Sequence, residues 1–134
     1  MKKLTLLLLG TLVFYSCLNS EYTPNYKYEY LSIDEAIVPA SFTFGEIDTI
    51  TVKYTLPNGC YSYDRIYYQS KDTVRTVAVS ALVELDEACT EELIQEEKKF
   101  AVKASQTKDY VFKFFKGTDS NGDNIFEEVI VPVN

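Results

Sequence analysis

The chain has 134 residues, with 13 basic and 20 acidic side chains, a net charge of −7, and neither histidine nor tryptophan. That length supports one ordinary domain, and its acidic balance, with no basic stripe among the aromatics, excludes nucleic acid as a partner and charge-driven adhesion to anionic lipid head groups. The lack of histidine removes the commonest general base near neutral pH and every Ser-His or Cys-His nucleophile. No carboxylate pair stands in a setting that singles it out for acid–base work, so no enzyme activity and no catalytic residue is expected.

The first element is a leader. Met1-Lys2-Lys3 is positive, and Leu4 to Val13 is an apolar run of about ten residues, too short for a bilayer core that needs ~20. It reads as a removable signal. The following Phe14-Tyr15-Ser16-Cys17 resembles the lipobox of bacterial lipoproteins. The resemblance implies a lipoprotein signal peptide over 1–16, a fatty acid such as palmitate on Cys17, and a membrane partner reached through that lipid. The alternative is a secretory signal cut near Ser16 or Ser20. Loss of Lys2 and Lys3 leaves 11 bases against 20 acids, a mature charge of −9.

Residues 17–30 read as a lipidated tether that can become a first edge strand. Its tyrosines, Tyr22, Tyr26, Tyr28 and Tyr30, either form a stacking platform for sugars or pack the linker onto the domain. Leu18-Asn19-Ser20-Glu21 carries a single acid. Some surface-exposed lipoproteins have a denser acidic stretch there, so the periplasmic face of the outer membrane is favoured over the cell surface.

From 31 to 134 the chain is a series of strand signals separated by turns. Ile50, Val52, Tyr54 and Leu56 alternate with Thr49, Thr51, Lys53 and Thr55, and Pro57-Asn58-Gly59 marks a turn. The next strand, 60–69, has Tyr61, Tyr63 and Tyr67 on one phase and Tyr68 on the other. These four form a candidate surface for a sugar ring or protein partner, the alternative being core or edge packing. Val77, Val79, Ala81, Val83 and Leu85 share one face of a long strand. Residues 86–99, DEACTEELIQEEKK, break the pattern and predict a loop or at most one short helix near 90–97, capped by Thr90. Alternation then resumes at Phe100, Val102 and Ala104, at Tyr110, Phe112 and Phe114, and at Val129, Val131 and Val133.

With Cys17 assigned to lipid, Cys60 and Cys89 form an even pair in an oxidising compartment and predict a disulfide, the alternative being two buried thiols. Closing a loop of about 30 residues stabilises by roughly 3.5 kcal/mol in the chain-entropy model. Two cysteines without histidine do not complete a usual zinc shell. Glu84, Asp86, Glu87, Glu91, Glu92, Glu96 and Glu97 match no calcium loop and read as a solvated face. Asp119, Asn121 and Asp123 have the spacing that opens an EF-hand, but Asn124 stands at the glycine position and Ile130 at the glutamate position. Asn121-Gly122 reads instead as a hairpin turn. No metal and no cofactor is expected.

Seven to eight short strands predict an all-β chain folded as an antiparallel sandwich, similar in size and spacing to immunoglobulin-like domains. The segment from Pro57-Asn58-Gly59-Cys60-Tyr61 through Cys89 to Val129-Ile130-Val131 resembles the C-terminal sandwich of NigD-like lipoproteins, a likeness that carries over no functional residue. The functional expectation is a membrane-anchored, non-enzymatic envelope lipoprotein acting as a binding or assembly module for an envelope protein or glycan. Two narrower alternatives are an enzyme inhibitor using the acidic 86–97 loop, and a carbohydrate-binding accessory protein.

Overall fold

Alternation with a period of two places every second side chain on the same face of a strand, and the computed structural model, which describes residues 25–134, uses it in eight strands and no helix. These are β1 (Tyr26–Leu31), β2 (Ile33–Ile37), β3 (Ile47–Leu56), β4 (Tyr61–Lys71), β5 (Val74–Glu84), β6 (Ile94–Lys103), β7 (Tyr110–Thr118) and β8 (Asn124–Val131). The expected leader, Cys17 and Tyr22 lie outside the described residues. Among the described residues the first strand starts at Tyr26, so residues 26–30 serve as the edge strand that the tether was able to become.

One sheet contains β1, β4, β5, β7 and β8, and the other runs β2-β3-β6. All strand pairs are antiparallel except β5–β7, which is parallel over Val74–Val77. The exception follows from how β5 is shared. Along its whole length one edge pairs with β4. The other edge pairs with β1 over Val79–Glu84 and with β7 over Val74–Val77, so β1 and β7 meet in line near the middle of β5.

The core lies between the sheets. Ile50, Val52, Tyr54 and Leu56 of β3 face Val77, Val79 and Ala81 of β5 and Tyr110, Phe112 and Phe114 of β7. The three β7 rings stack along the strand at 5.9 and 5.8 Å, and Phe42 closes one end with its ring 5.0 Å from Tyr110. Fully burying side chains of this size stabilises by about 1.5–3 kcal/mol each.

The expected helix or loop over 86–99 is corrected in its second half. Residues 85–93 are irregular, and from Ile94 the chain is strand β6, paired along its length with β3. Its inward phase includes Glu96 opposite Tyr54 and Lys98 opposite Val52, and these charges mask the period of two. Two tyrosines accommodate them: the Tyr54 hydroxyl donates to Glu96, and Lys98 Nζ lies 4.5 Å from the Tyr63 ring centre. Thr90 caps no helix. Its carbonyl instead accepts from Gly59 N at 2.9 Å, and a Cβ at position 59 would collide with the Thr90 hydroxyl. This close approach requires glycine in the Pro57-Asn58-Gly59 turn.

Beside that turn Cys60 and Cys89 form a disulfide, with Cα atoms 5.2 Å apart. The bond holds the acidic 85–93 segment against the start of β4. At the other hairpin, Asp119 Oδ1 accepts from Asn121 N at 2.8 Å and Asp123 N at 3.0 Å, and Gly122 has φ +85°. Asp119 thus holds the β7–β8 turn with its carboxylate.

Candidate binding surface

The four tyrosines of β4 do not form one surface. The β4–β5 register shifts between Tyr63 and Arg65, and this bulge reverses the parity of the strand. Before it, Tyr61 and Tyr63 lie opposite Val83 and Ala81; after it, Ile66 and Tyr68 lie opposite Val79 and Val77, so all four face inward. Tyr61 reaches Glu29 at 3.3 Å, and burial, followed by that carboxylate, raises its pKa. Tyr63 packs against Tyr54 at 6.2 Å, and Tyr68 meets Phe100 at 5.8 Å. Tyr67 alone of the four, opposite Ala78, points to the outside of the larger sheet.

On that outer face Tyr67 joins residues from three other strands. Tyr30 of β1 lies 5.4 Å from Tyr67 and 6.3 Å from Phe115 of β7, and Phe115 lies 6.0 Å from Phe126 of β8, all edge-on. The result is a row of four rings across the sheet, Tyr67–Tyr30–Phe115–Phe126. Tyr28 and Tyr26 continue it along β1, 5.7 Å apart. Tyr28 and Tyr30 are 56% and 52% exposed. The row exists because β1 and β7 share one edge of β5, which brings residues 30 and 115 side by side. Nothing in linear spacing reveals that meeting. The one local signal is Phe115, an aromatic on the phase that its strand otherwise gives to Val111 and Lys113.

Within the row is a depression of about 280 Å³ lined by Tyr30, Tyr67, Phe115 and Phe126 together with Gln69, Thr76 and Asn124. Apolar ring faces and edges thus alternate with an amide, a hydroxyl and a second amide. Beside it, Ser80 donates to Asp64 Oδ2 at 3.0 Å, and Arg65 Nε lies 3.4 Å from the same oxygen. The outer face of the smaller sheet is different in kind. It presents Thr49, Thr51, Thr55, Glu97 and Lys99, a Lys53–Glu35 ion pair at 2.8 Å, and a Thr55–Asp34 hydrogen bond at 2.7 Å. That face also carries exposed Ile37 and Ile47, whereas in the aromatic row Tyr30 is exposed, Tyr67 and Phe126 are half-buried and Phe115 is buried.

A second concavity opens where β4 and β6, the free edges of the two sheets, face one another. It has about 470 Å³ and is lined by Tyr68, Ser70, Arg75, Phe100, Lys103, Ser105 and Tyr110 among others. Tyr110 accepts from Ser105 N at 3.0 Å. Burial pushes its pKa up, but the Ser105 and Gln106 amides and the Arg75 cation act against this, and the net shift is downward. Among the described residues no three acidic or cysteine side chains converge as a metal-binding group.

A family model, the ORF11 beta-sandwich domain, matches residues 50–131, more than half of the chain. The chain belongs to the ORF11 beta-sandwich domain family. No curated protein and no solved structure matches it. The ORF11 beta-sandwich match runs from within β3 to the last residue of β8 and so includes Tyr67, Phe115 and Phe126. It leaves out β1 and β2, and with them Tyr28 and Tyr30, which complete the aromatic row.

Proposed function

We propose that this chain is a non-enzymatic binding module of the bacterial envelope, held to the outer membrane by lipid on Cys17 and presenting the outer face of its five-stranded sheet to a ligand. Support for the anchor comes from the sequence: the short apolar leader ending in Ser16-Cys17, and the likeness of the sandwich segment to NigD-like lipoproteins. The periplasmic side is favoured by the sparse acid content after Cys17. Support for the recognition face comes from one observation above all, the Tyr67–Tyr30–Phe115–Phe126 row with Gln69, Thr76 and Asn124 set among the rings.

That mixture favours the carbohydrate reading over an acidic inhibitor loop. Sugar rings offer apolar C–H faces that stack on aromatics and hydroxyls that pair with amides and alcohols. The acidic run is divided by the fold: Glu96 and Glu97 lie on β6, while Glu87, Glu91 and Glu92 stand in the disulfide-held 85–93 segment.

A glycan array probed with the full-length protein in detergent tests the reading. Binding is expected to one class of neutral oligosaccharide, weakened about tenfold or more by a Tyr30→Ala/Tyr67→Ala pair, since loss of two stacked rings removes at least 1.4 kcal/mol. An unaltered array profile in that variant, or a silent array, contradicts it. Inhibition of a basic enzyme such as a lysozyme, lost on charge reversal of Glu91 and Glu92, would favour the inhibitor instead.

A further inference from the structure

Arg75 is an unusual residue for its position. It lies on the inward phase of β5, opposite Ser70 of β4 and Phe112 of β7, and is only 7% exposed. Burying a guanidinium is costly unless an anion pairs with it. This protein has an excess of acids, yet among the described residues no carboxylate pairs with Arg75. Its partners are neutral. Nη1 donates to Asp72 O at 2.7 Å and Val74 O at 3.0 Å, Nη2 donates to Gln106 Oε1 at 2.8 Å, and the cation lies 4.7 Å from the Tyr110 ring centre. Three of the five guanidinium N–H groups are thereby used. The remaining two are on Nε and Nη2, one edge of the fork, and the neutral Tyr68 side chain also lies within reach of the cation.

The groove that Arg75 lines also contains Ser70, Ser105 and the rings of Tyr68, Phe100 and Tyr110, with Lys103 at its rim on the outward phase of β6 opposite Ile47. No acid lines the groove. A concavity with a buried cation, apolar walls and no acid stands out in a chain of net charge −7. Its volume of about 470 Å³ is within the range of small-molecule sites, roughly 300–1,000 Å³.

We propose that this groove binds a small organic acid, with its carboxylate on the free edge of Arg75 and its ring-sized body against the Tyr68–Phe100 pair. A carboxylate offers two acceptor oxygens at the spacing a guanidinium edge addresses, and such charge-assisted pairs are about twice as strong as neutral ones. The anion also completes the electrostatics of a buried cation that the fold leaves without a counter-charge. This site is separate from the aromatic row and does not depend on that surface binding sugar.

The test is a titration of the full-length protein in detergent, followed by calorimetry and by NMR of the Arg75 side chain. The probes are two ring acids, benzoate and galacturonate, each against its neutral counterpart, benzamide and galactose. At least one acid is expected to bind about tenfold or more tightly than its counterpart and to shift the Arg75 Nε–H resonance; which acid does so separates an apolar from a sugar-like body. Ser70→Glu places an internal carboxylate opposite Arg75 at an exposed position and is expected to abolish acid binding while the domain stays folded. The proposal is overturned if neither acid binds at tens of millimolar, if acid and neutral probes bind alike, or if folded Ser70→Glu binds as well as the native chain.

Discussion

Tyr54 shows how one side chain can connect core packing to the charge pattern of an edge strand. Its ring is fully buried, and its hydroxyl donates to Glu96 on β6. Burial first, and then the adjacent carboxylate, raise the phenol pKa well above its ordinary 10.0. The raised value implies a sign. The folded state holds the proton more tightly than the unfolded chain, so this contribution to stability is complete below pH 10 and is lost as pH rises beyond it. Above pH 10 the native protein is expected to lose up to about 1.4 kcal/mol per pH unit through this group. Tyr54→Phe should show a shallower alkaline decline at some cost in stability at neutral pH. Urea denaturation across the alkaline range measures both; parallel declines in the two proteins would show that Tyr54 does not carry the effect.

At the scale of elements, the loop from Cys60 to Cys89 joins the start of β4 to the irregular acidic segment, and Gly59 lies so close to Thr90 that the two segments act as one corner. Cys89→Ser is expected to lower stability by about 2–4 kcal/mol, with the chain still folded because the core does not include residue 89. A shift in the urea midpoint of no more than a few tenths of a molar would show that the turn contacts alone hold this corner. Much of the element pattern was legible in advance. The alternations at 50–56, 77–85, 110–114 and 129–133 correspond to faces that the structure buries, except that Leu85 lies past the end of β5 and is exposed, and the turns at 57–59 and 121–122 stand where expected. Two features were hidden for physical reasons. In β6, inward Glu96 and Lys98 gave the strand the appearance of a solvated charge run, because their partners, Tyr54 and the Tyr63 ring, are distant in sequence. In β4, the bulge reversed the parity, so counting by twos grouped Tyr67 with Tyr61 and Tyr63 and set Tyr68 apart, whereas Tyr67 alone faces outward.

For the whole molecule, the two sheets divide the work. The smaller sheet turns to water a mainly polar face that includes Ile37 and Ile47, and the larger turns a row of rings of which Tyr30 is exposed and Phe115 buried. The candidate surface was the least legible part of the chain because it depends on topology. Tyr30, Tyr67, Phe115 and Phe126 come from four strands and meet through the sharing of one edge of β5 by β1 and β7. Sequence pattern identified the tyrosines as a class, and only the fold shows that Tyr67 keeps company with Tyr30 and two phenylalanines. The Arg75 groove was likewise hidden, because an arginine in an apolar strand reveals its missing counter-ion only once the neighbours are known. The most direct measurement places a photo-crosslinking residue at position 67 on the outer face, and separately at position 91 in the acidic segment, of the full-length protein in living cells. Mass spectrometry is expected to find one defined glycan or protein adduct at 67 and none at 91. Adducts at 91 alone would contradict the assignment of the aromatic face as the recognition surface.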